Sequence, residues 1–286
     1  MKYGALVIAL IGVVAGPSVD AQETGPGNGP AVAPAPKVYP LDVVVNTKGE
    51  AFVADRQLHG VWQFSDQKLS ILYEGSPKYR TPLYAAFSIA LDQEGRILVG
   101  DPATREVYRM EQGKPVPITG GKIGIPVDLA VKSDGTIYVA DLEQRRLLRI
   151  PAGSGEVEPV ADVNPRGVFV DSKDQVWVVS QDPQQLQIVA DDGSSDVIVD
   201  HRVFNFPHQV VVNAAGEAFV TDGYEKAIWK VVRGSEPTLW CQGAPLDNPV
   251  GIAIYNDLPV VVDPRASQVF KFDGQGKPEG WFTISR

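Results

Sequence analysis

Arg166 and His208 are the two residues in this sequence best suited to bind a ligand. Each follows a proline and precedes a strand-like apolar run, in Pro165-Arg166 and Pro207-His208, and the two lie 42 residues apart. Arginine binds a carboxylate through two parallel hydrogen bonds. Two groups that can both carry a positive charge repel each other, so a nearby His208 should stay neutral unless an anion lies between them. If the fold brings the two together, the pair predicts a site for an anion or for a ligand with an acceptor oxygen.

Further polar residues occupy equivalent places. Asp42, Asp128 and Gln209 lie at the next position of such segments, and Tyr224 lies in a polar turn that follows an apolar run ending in aspartate. The sequence leaves two interpretations of the aspartates open. They can cap backbone amides where strands begin, as short carboxylates often do, or they can contact a ligand. A further alternative is that one aspartate pairs permanently with Arg166. The guanidinium would then be neutralised, and no anionic ligand would bind.

Other chemistry is poorly supported by the sequence. A single cysteine excludes an internal disulfide and a cysteine-based zinc site. The sequence has no glycine-rich phosphate loop and no G-x-S-x-G motif. The net charge of −9 makes binding to nucleic acid improbable, because an acidic protein repels the phosphate backbone.

The elements that must position these residues form six copies of one repeat. The copies open near residues 40, 86, 126, 165, 207 and 249, in steps of 46, 40, 39, 42 and 42 residues. Each copy has a strand-like run, a polar turn that often contains glycine, a second run that usually ends in aspartate, and two further runs. Four short strands in about 40 residues is the period of a β-propeller blade.

The repeat therefore predicts an all-β fold, a six-bladed β-propeller with four antiparallel strands per blade over residues 38–286. The residue after each opening position should face the central mouth of the ring; these are Leu41, Phe87, Val127, Arg166, His208 and Val250. The aspartate after the second run should cap its own turn. Blade 6 has four runs of its own, which makes a closing strand from the N-terminus unnecessary, although Val38-Tyr39 is an alternative closing strand.

The N-terminal residues read as an export signal and a tether. A lysine precedes an apolar run from Gly4 to Gly16, and small residues follow up to Ala21, which is typical of a secretory signal over residues 1–21. Residues 22–37 are rich in proline, glycine and alanine and predict a disordered linker. We expect a secreted or periplasmic protein with no membrane span after signal removal.

The phrase P-x-D-[VL]-x-V-x-x-x-G-x-[IF]-[YF]-V-A-D, best kept in Pro126 to Asp141, resembles the NHL repeat. More broadly, residues 38–286 resemble the six-bladed propellers that include gluconolactonase-type lactonases. The resemblance implies a divalent cation held at the mouth by carboxylate and asparagine side chains. The corresponding positions here are Leu41, Arg166, His208 and Val250, and only the neighbouring Asp42 and Asp128 offer carboxylate oxygens.

A second resemblance concerns zinc. Pro207-His208 and the following Val220 to Tyr224 look like a blade of the peptidyl-hydroxyglycine amidating lyase, in which the histidine is a zinc ligand. That enzyme uses such a histidine in three blades, whereas this chain has one.

We therefore expect a binding module for a partner protein or a small anionic ligand, with no cofactor, monomeric and without nucleic-acid partners. The candidate ligand-binding residues are Arg166, His208, Gln209, Tyr224, Asp42 and Asp128. The alternative is a metal-dependent lactonase or other hydrolase, with Ca²⁺ or Zn²⁺ bound by Asp42, Asp128 and His208.

Overall fold

The computed structural model describes residues 38–286, and all of its regular elements are β-strands. The predicted signal (residues 1–21) and linker (residues 22–37) lie outside the described residues. The strands form six sheets of four strands each, and in every sheet the strands pair antiparallel in chain order. The predicted six-bladed propeller is confirmed.

The strands of the first three blades have the following bounds. Blade 1 contains β1 (Pro40–Val45), β2 (Ala51–Asp55), β3 (Gly60–Ser65) and β4 (Lys68–Glu74). Blade 2 contains β5 (Ser88–Leu91), β6 (Ile97–Asp101), β7 (Glu106–Glu111) and β8 (Lys114–Pro117). Blade 3 contains β9 (Pro126–Val131), β10 (Ile137–Asp141), β11 (Arg146–Ile150) and β12 (Glu158–Ala161).

The other three blades follow the same pattern. Blade 4 contains β13 (Pro165–Val170), β14 (Val176–Ser180), β15 (Leu186–Val189) and β16 (Ser195–Val199). Blade 5 contains β17 (Pro207–Val212), β18 (Ala218–Asp222), β19 (Ala227–Val231) and β20 (Thr238–Gln242). Blade 6 contains β21 (Ile252–Tyr255), β22 (Leu258–Asp263), β23 (Gln268–Phe272) and β24 (Pro278–Thr283). Four blades open at the predicted residue, and the first strands of blades 2 and 6 start slightly later, at Ser88 and Ile252.

Six hydrophobic clusters fill the gaps between neighbouring blades. The second strands are buried along their whole length in blades 1 to 5, and in blade 6 only the first residue, Leu258, is partly exposed. Burial of apolar surface between blades is the main favourable contribution to this fold. Within residues 38–286 there is no helix that could cross a membrane.

The ring closes by packing rather than by a shared strand. Blade 6 takes all four strands from its own sequence, and β1 is the innermost strand of blade 1. Val38 is buried in the cluster between blades 1 and 6, beside Phe282 and Ile284. Among the described residues, Val38 therefore contributes a side chain to this interface, and Val38-Tyr39 does not form the alternative closing strand.

The aspartates after the second strands have a wider role than the predicted capping of their own turns. In blade 5 the Asp222 carboxylate accepts hydrogen bonds from Glu225 N in its own turn (3.1 Å), and from Asn205 N (2.7 Å) and Phe206 N (3.1 Å) in the loop that enters the blade. Equivalent bonds are made by the buried carboxylates of Asp55, Asp101, Asp141 and Asp263. Each aspartate thus fixes two loops on the mouth face, including the loop that presents the mouth residue.

Candidate functional site

A β-bulge at the start of the inner strand directs the mouth residues toward the axis. The pairing of β13 with β14 shifts between Pro165 and Gly167, which leaves Arg166 in the bulge. The pairing of β17 with β18 shifts after Pro207, so His208 lies in the equivalent bulge. An extra residue in one strand changes the direction of its side chain, and such bulges are common next to functional sites.

The mouth is a small cavity of about 30 Å³ on the axis. Its lining consists of the six predicted mouth residues and one residue from the layer below, namely Leu41, Phe87, Val127, Arg166, His208, Val250 and Gln209. The volume is about the share of one water molecule in the liquid. Only the end of a ligand, such as a carboxylate, can enter this space, and the rest must lie above it.

Arg166 is the cation of the mouth. Its side chain is half-buried, its Nη2 donates a hydrogen bond to Gln181 Oε1 (2.6 Å), and its guanidinium lies 5.0 Å from the centre of the Phe206 ring. Burial lowers the pKa of Arg166 from its ordinary value, although a guanidinium stays charged at any physiological pH. No carboxylate within residues 38–286 forms an ion pair with it, unlike the rim arginine Arg265, which lies 3.9 Å from Asp247.

His208 is neutral in this mouth. Its burial, and secondarily the charge of Arg166, lower its pKa to about 4, while Asp222 acts in the opposite direction. The imidazole packs edge-on against Phe206, with ring centres 5.0 Å apart. A methyl group on Gly223 would lie 2.7 Å from His208 Nε2, so the backbone of the following turn closes over the ring. The neutral imidazole offers one N–H donor and one acceptor beside the guanidinium.

Two aromatic residues of the blade 5 segments around His208 are exposed. Tyr224 is 77% exposed and Phe206 is 38% exposed. Tyr224 therefore lies at the rim and not in the cavity with Arg166 and His208. Phe206 contacts both Arg166 and His208, and Tyr224 follows Gly223, whose backbone lies against the His208 ring.

Asp42 and Asp128 lie one layer below the mouth and bind backbone amides of two blades each. Asp42 Oδ1 accepts a hydrogen bond from Val43 N (2.8 Å), and its Oδ2 accepts one from Ile89 N of blade 2 (2.8 Å). Asp128 does the same with its own Leu129 N (2.9 Å) and with Val168 N of blade 4 (2.8 Å). The aspartates cap amides where strands begin, and they also join neighbouring blades.

Gln209 completes this layer, which we call the axial plug (Asp42, Asp128 and Gln209). Its Oε1 accepts a hydrogen bond from Ile252 N of blade 6 (2.8 Å), and its Nε2 donates one to Asp128 Oδ1 (2.9 Å). Every second blade, namely blades 1, 3 and 5, thus contributes one hydrogen-bonding side chain to the plug. The intervening blades have small residues at these positions, namely Ser88, Gly167 and Gly251. A methyl group on Gly251 would lie 2.5 Å from Asp42 Cα, so the plug fits only because this position has no side chain.

The two carboxylates of the plug hold protons more tightly than ordinary aspartates. Burial raises the pKa of Asp42 to about 7, against the effect of its hydrogen bonds to Ile89, Gln209 and Val43. Burial, and then the charge of Asp42, raise the pKa of Asp128 well above its ordinary value. The pair titrates as a unit, since each charge opposes the other.

The residues present do not fit the divalent cation that the sequence resemblance implies. Three of the four expected ligand positions carry Leu41, Arg166 and Val250, which have no oxygen or neutral nitrogen to offer. All four carboxylate oxygens of Asp42 and Asp128 already accept amide hydrogen bonds. Within residues 38–286, no three histidine, cysteine, aspartate or glutamate side chains come together in a way that could hold a metal. The alternative ligand set is split, because His208 lines the mouth while Asp42 and Asp128 face the cavity below.

Two contributors to the site were missed by the sequence reasoning. Phe206 directly precedes the opening Pro207 of blade 5 and lies under the guanidinium. Gln181 follows Ser180, the residue that replaces the usual aspartate in blade 4. An aromatic residue immediately before the repeat could have been noticed, whereas the Gln181 contact depends on how the irregular turn of blade 4 folds.

Comparisons with known proteins support the fold. No protein-family model and no curated protein sequence matches the chain. Similar solved structures include virginiamycin B lyase from Staphylococcus aureus, with 13% identity, a TM-score of 0.64, and coverage of 87% of this chain and 86% of that one. A chain of a nidogen/laminin complex matches with 14% identity, a TM-score of 0.69, and coverage of 82% and 93%. A gluconolactonase from Xanthomonas campestris matches with 15% identity, a TM-score of 0.61, and coverage of 83% and 84%.

At these identities the likeness concerns the fold alone, and one fold hosts many functions. The similar structures include lyases, a gluconolactonase and a propeller from a protein complex, so they do not point to one activity. They do confirm the predicted resemblance at the level of architecture: this chain is a six-bladed β-propeller similar to the gluconolactonase-like and nidogen-type propellers.

Proposed function

We propose that the protein is a binding module whose mouth binds the carboxylate of a small molecule or of a partner protein. The observation that carries this proposal is Arg166, a half-buried guanidinium in an apolar mouth, with which no carboxylate of residues 38–286 pairs. A buried charge is costly unless it is paired. A ligand carboxylate would supply the missing partner.

The free hydrogen-bonding capacity fits this ligand. A guanidinium has five N–H donors, and the protein uses Arg166 Nη2 for its bond to Gln181. The remaining donors can form the parallel pair of hydrogen bonds that a carboxylate accepts. His208, which is neutral at pH 7, can donate a further N–H without adding a second repelling charge. Hydrogen bonds to charged groups contribute about 1.5–3 kcal/mol each, enough for a specific contact.

The shape of the site indicates how the ligand lies. The cavity of about 30 Å³ admits a carboxylate end but not a sugar ring or a side chain. The body of the ligand would then rest on Phe206 and Tyr224 at the rim, where apolar or aromatic groups pack favourably. A protein segment could bind in this way, and the nidogen/laminin complex is an example of a similar propeller in a protein assembly.

The protein would carry out this role outside the cytoplasm if residues 1–21 act as the export signal that their pattern predicts. We propose the monomer as the binding unit, since the mouth lies on the axis of a single ring.

A lactonase or hydrolase activity is the competing proposal, favoured by the likeness to a gluconolactonase. It requires cation ligands at the mouth, and there the residues present do not fit. Hydrolysis of a lactone that depends on added Ca²⁺ or Zn²⁺, and that is lost in His208→Ala, would favour this second proposal over the first.

Calorimetric titration tests the binding proposal. Acetate, benzoate and gluconate are titrated into the wild type, Arg166→Ala and the control Arg265→Ala, which removes an exposed arginine of the same face. We expect a carboxylate to bind the wild type and the control equally, and Arg166→Ala to lose at least tenfold in affinity. Failure of all carboxylates to bind the wild type, or equal binding by Arg166→Ala, would reject the proposal.

A further inference from the structure

A second and larger cavity lies on the far side of the axial plug. It has a volume of about 300 Å³ and runs along the inner strands toward the face opposite the mouth. Its lining is formed by strands β1, β5, β9, β13, β17 and β21. Half-buried aliphatic side chains, among them Val45, Leu91 and Val170, lie toward its open end, and Asp42 and Asp128 form its inner end. We call this cavity the bore. Its size is at the lower end of the range for small-molecule sites.

The bore contains carboxyl groups without any cation to balance them. Among residues 38–286, all residues that line it are aliphatic or aromatic except Asp42 and Asp128. The adjacent basic groups on the inner strands, Arg166 and His208, line the mouth on the other side of the plug. Gln209, which faces the pair from blade 5, is uncharged. An ionised member of the pair is therefore buried without a positive partner, an arrangement that proteins normally avoid.

The entrance to the bore carries negative charge. It is surrounded by the turns that join the first and second strands of the six blades. These turns contain eight acidic and four basic residues, for a net charge of −4, of which Lys230 and Arg109 on the third strands offset two through ion pairs with Glu217 and Asp92. The acidic ones are Glu50, Asp92, Glu94, Asp134, Asp171, Asp174, Glu217 and Asp257, and the basic ones are Lys48, Arg96, Lys132 and Lys173. A cleft of one charge sign raises the local concentration of ligands of the opposite sign.

We propose that the bore is a second binding site, for a slender organic cation whose ammonium group reaches Asp42 and Asp128 and whose apolar body lies along the aliphatic wall. Both oxygens of Asp42 and Oδ2 of Asp128 accept one amide hydrogen bond each and keep a second lone pair, to which the ammonium would donate while supplying the missing positive charge. The apolar wall selects an alkyl chain over a hydrated metal ion. This site is separate from the mouth and does not depend on the function proposed for Arg166.

The first test compares ligands of one length and different charge. Calorimetry with n-hexylammonium, n-hexanol and hexanoate is performed at pH 8.5. We expect hexylammonium to bind with 1:1 stoichiometry and at least tenfold more tightly than hexanol, with no binding of hexanoate in the bore. Equal affinities of the amine and the alcohol would overturn the proposal, since the carboxylates would then contribute nothing.

The second test measures hexylammonium affinity at two pH values and in variants with a narrowed bore. Because the pKa of Asp42 is raised to about 7, protonation of Asp42 should make hexylammonium binding about tenfold weaker at pH 6.0 than at pH 8.5, while the amine itself stays protonated across this range. Val170→Phe, which narrows the open end of the bore, should abolish binding, and Leu91→Phe serves the same purpose if that variant does not fold. The same change at an outer strand, Val116→Phe, and the rim variant Arg265→Ala should leave binding unchanged. Unaltered binding to a folded variant with a narrowed bore would overturn the proposal.

Discussion

The contact between the last strand and blade 1 makes a sharp prediction about ring closure. The Phe282 ring of β24 stacks on the Phe64 ring of β3, with centres 4.1 Å apart and planes 9° apart. Phe282 is 8% exposed and Phe64 is 7% exposed. Because blades 1 and 6 share no strand within residues 38–286, packing of this kind must hold blade 6 against blade 1.

The cost of removing this contact can be worked out from the burial. Replacement of a buried phenylalanine by alanine typically costs about 3–5 kcal/mol, through lost transfer energy and the cavity that remains. We expect Phe282→Ala to fall in this range, a large share of the roughly 5–15 kcal/mol that stabilises a domain. Stacked aromatic pairs contribute about 0.5–1.5 kcal/mol beyond their buried area, so a double-mutant cycle with Phe64→Ala should show coupling of this size.

Urea unfolding monitored by tryptophan fluorescence measures both quantities. Thr283→Ala is the matched control, since it changes the adjacent and exposed residue of the same strand and should cost little. A loss below about 1 kcal/mol for Phe282→Ala, or a coupling near zero, would refute closure by packing at this interface.

Two further predictions concern the axial plug. Gly251→Ala should destabilise the fold by about 1–3 kcal/mol, because its methyl group would lie 2.5 Å from Asp42 Cα, whereas Gly274→Ala, with nothing within 4 Å, should be nearly neutral in chemical denaturation. Stability should fall as the pH rises from 6.5 to 8.5, because the raised pKa of Asp42 means that the folded state holds its proton longer than the unfolded state; a pKa of about 7 gives a loss of about 0.8 kcal/mol from Asp42 in this window, and Asp128 acts in the same direction. His208 has a lowered pKa and acts oppositely, but only below its ordinary value of 6.5, so calorimetric scans across the alkaline half of the range isolate the aspartates. A melting temperature that rises with pH in this window would contradict the assignment of buried, protonated carboxyls.

The sequence was sufficient to predict the six blades because each blade repeats the same physical pattern. Alternating buried strands, turn residues and a terminal aspartate recur in phase, and small departures do not disturb the ring. In blade 4, for example, the glycine of the first turn is absent, and Asp174 adopts a positive φ of 59° in its place. The first strands of blades 2 and 6 were predicted to begin too early. The residues just before Ser88 and Ile252 are apolar, and their sequence therefore resembles a continuation of the strand.

The candidate site was only partly accessible from the sequence. Aligning the repeats identified the six mouth residues, and in the structure these residues do line one cavity with Arg166 and His208 among them. That Asp42 and Asp128 cap amides was one of the two interpretations the sequence left open, and it is confirmed; that Asp128 also binds Val168 N of the next blade and Gln209 could not be inferred, because this depends on which atoms of neighbouring blades face the axis. The division of the axis into a mouth and a bore likewise follows from side-chain contacts between blades, which no local pattern encodes.

The pKa of His208 tests the account of the mouth most directly. The protein has three histidines, so proton NMR of the imidazoles gives a simple spectrum, and His208→Gln identifies the relevant signal. The account predicts that His208 titrates at about 4 in the free protein, and that saturating carboxylate raises its pKa because the bound anion offsets the charge of Arg166. In Arg166→Ala the pKa should already be higher and should not respond to carboxylate. A pKa near 6.5 in the free wild type, or one that carboxylates leave unchanged, would contradict the central claim that Arg166 and a neutral His208 form a carboxylate-binding mouth.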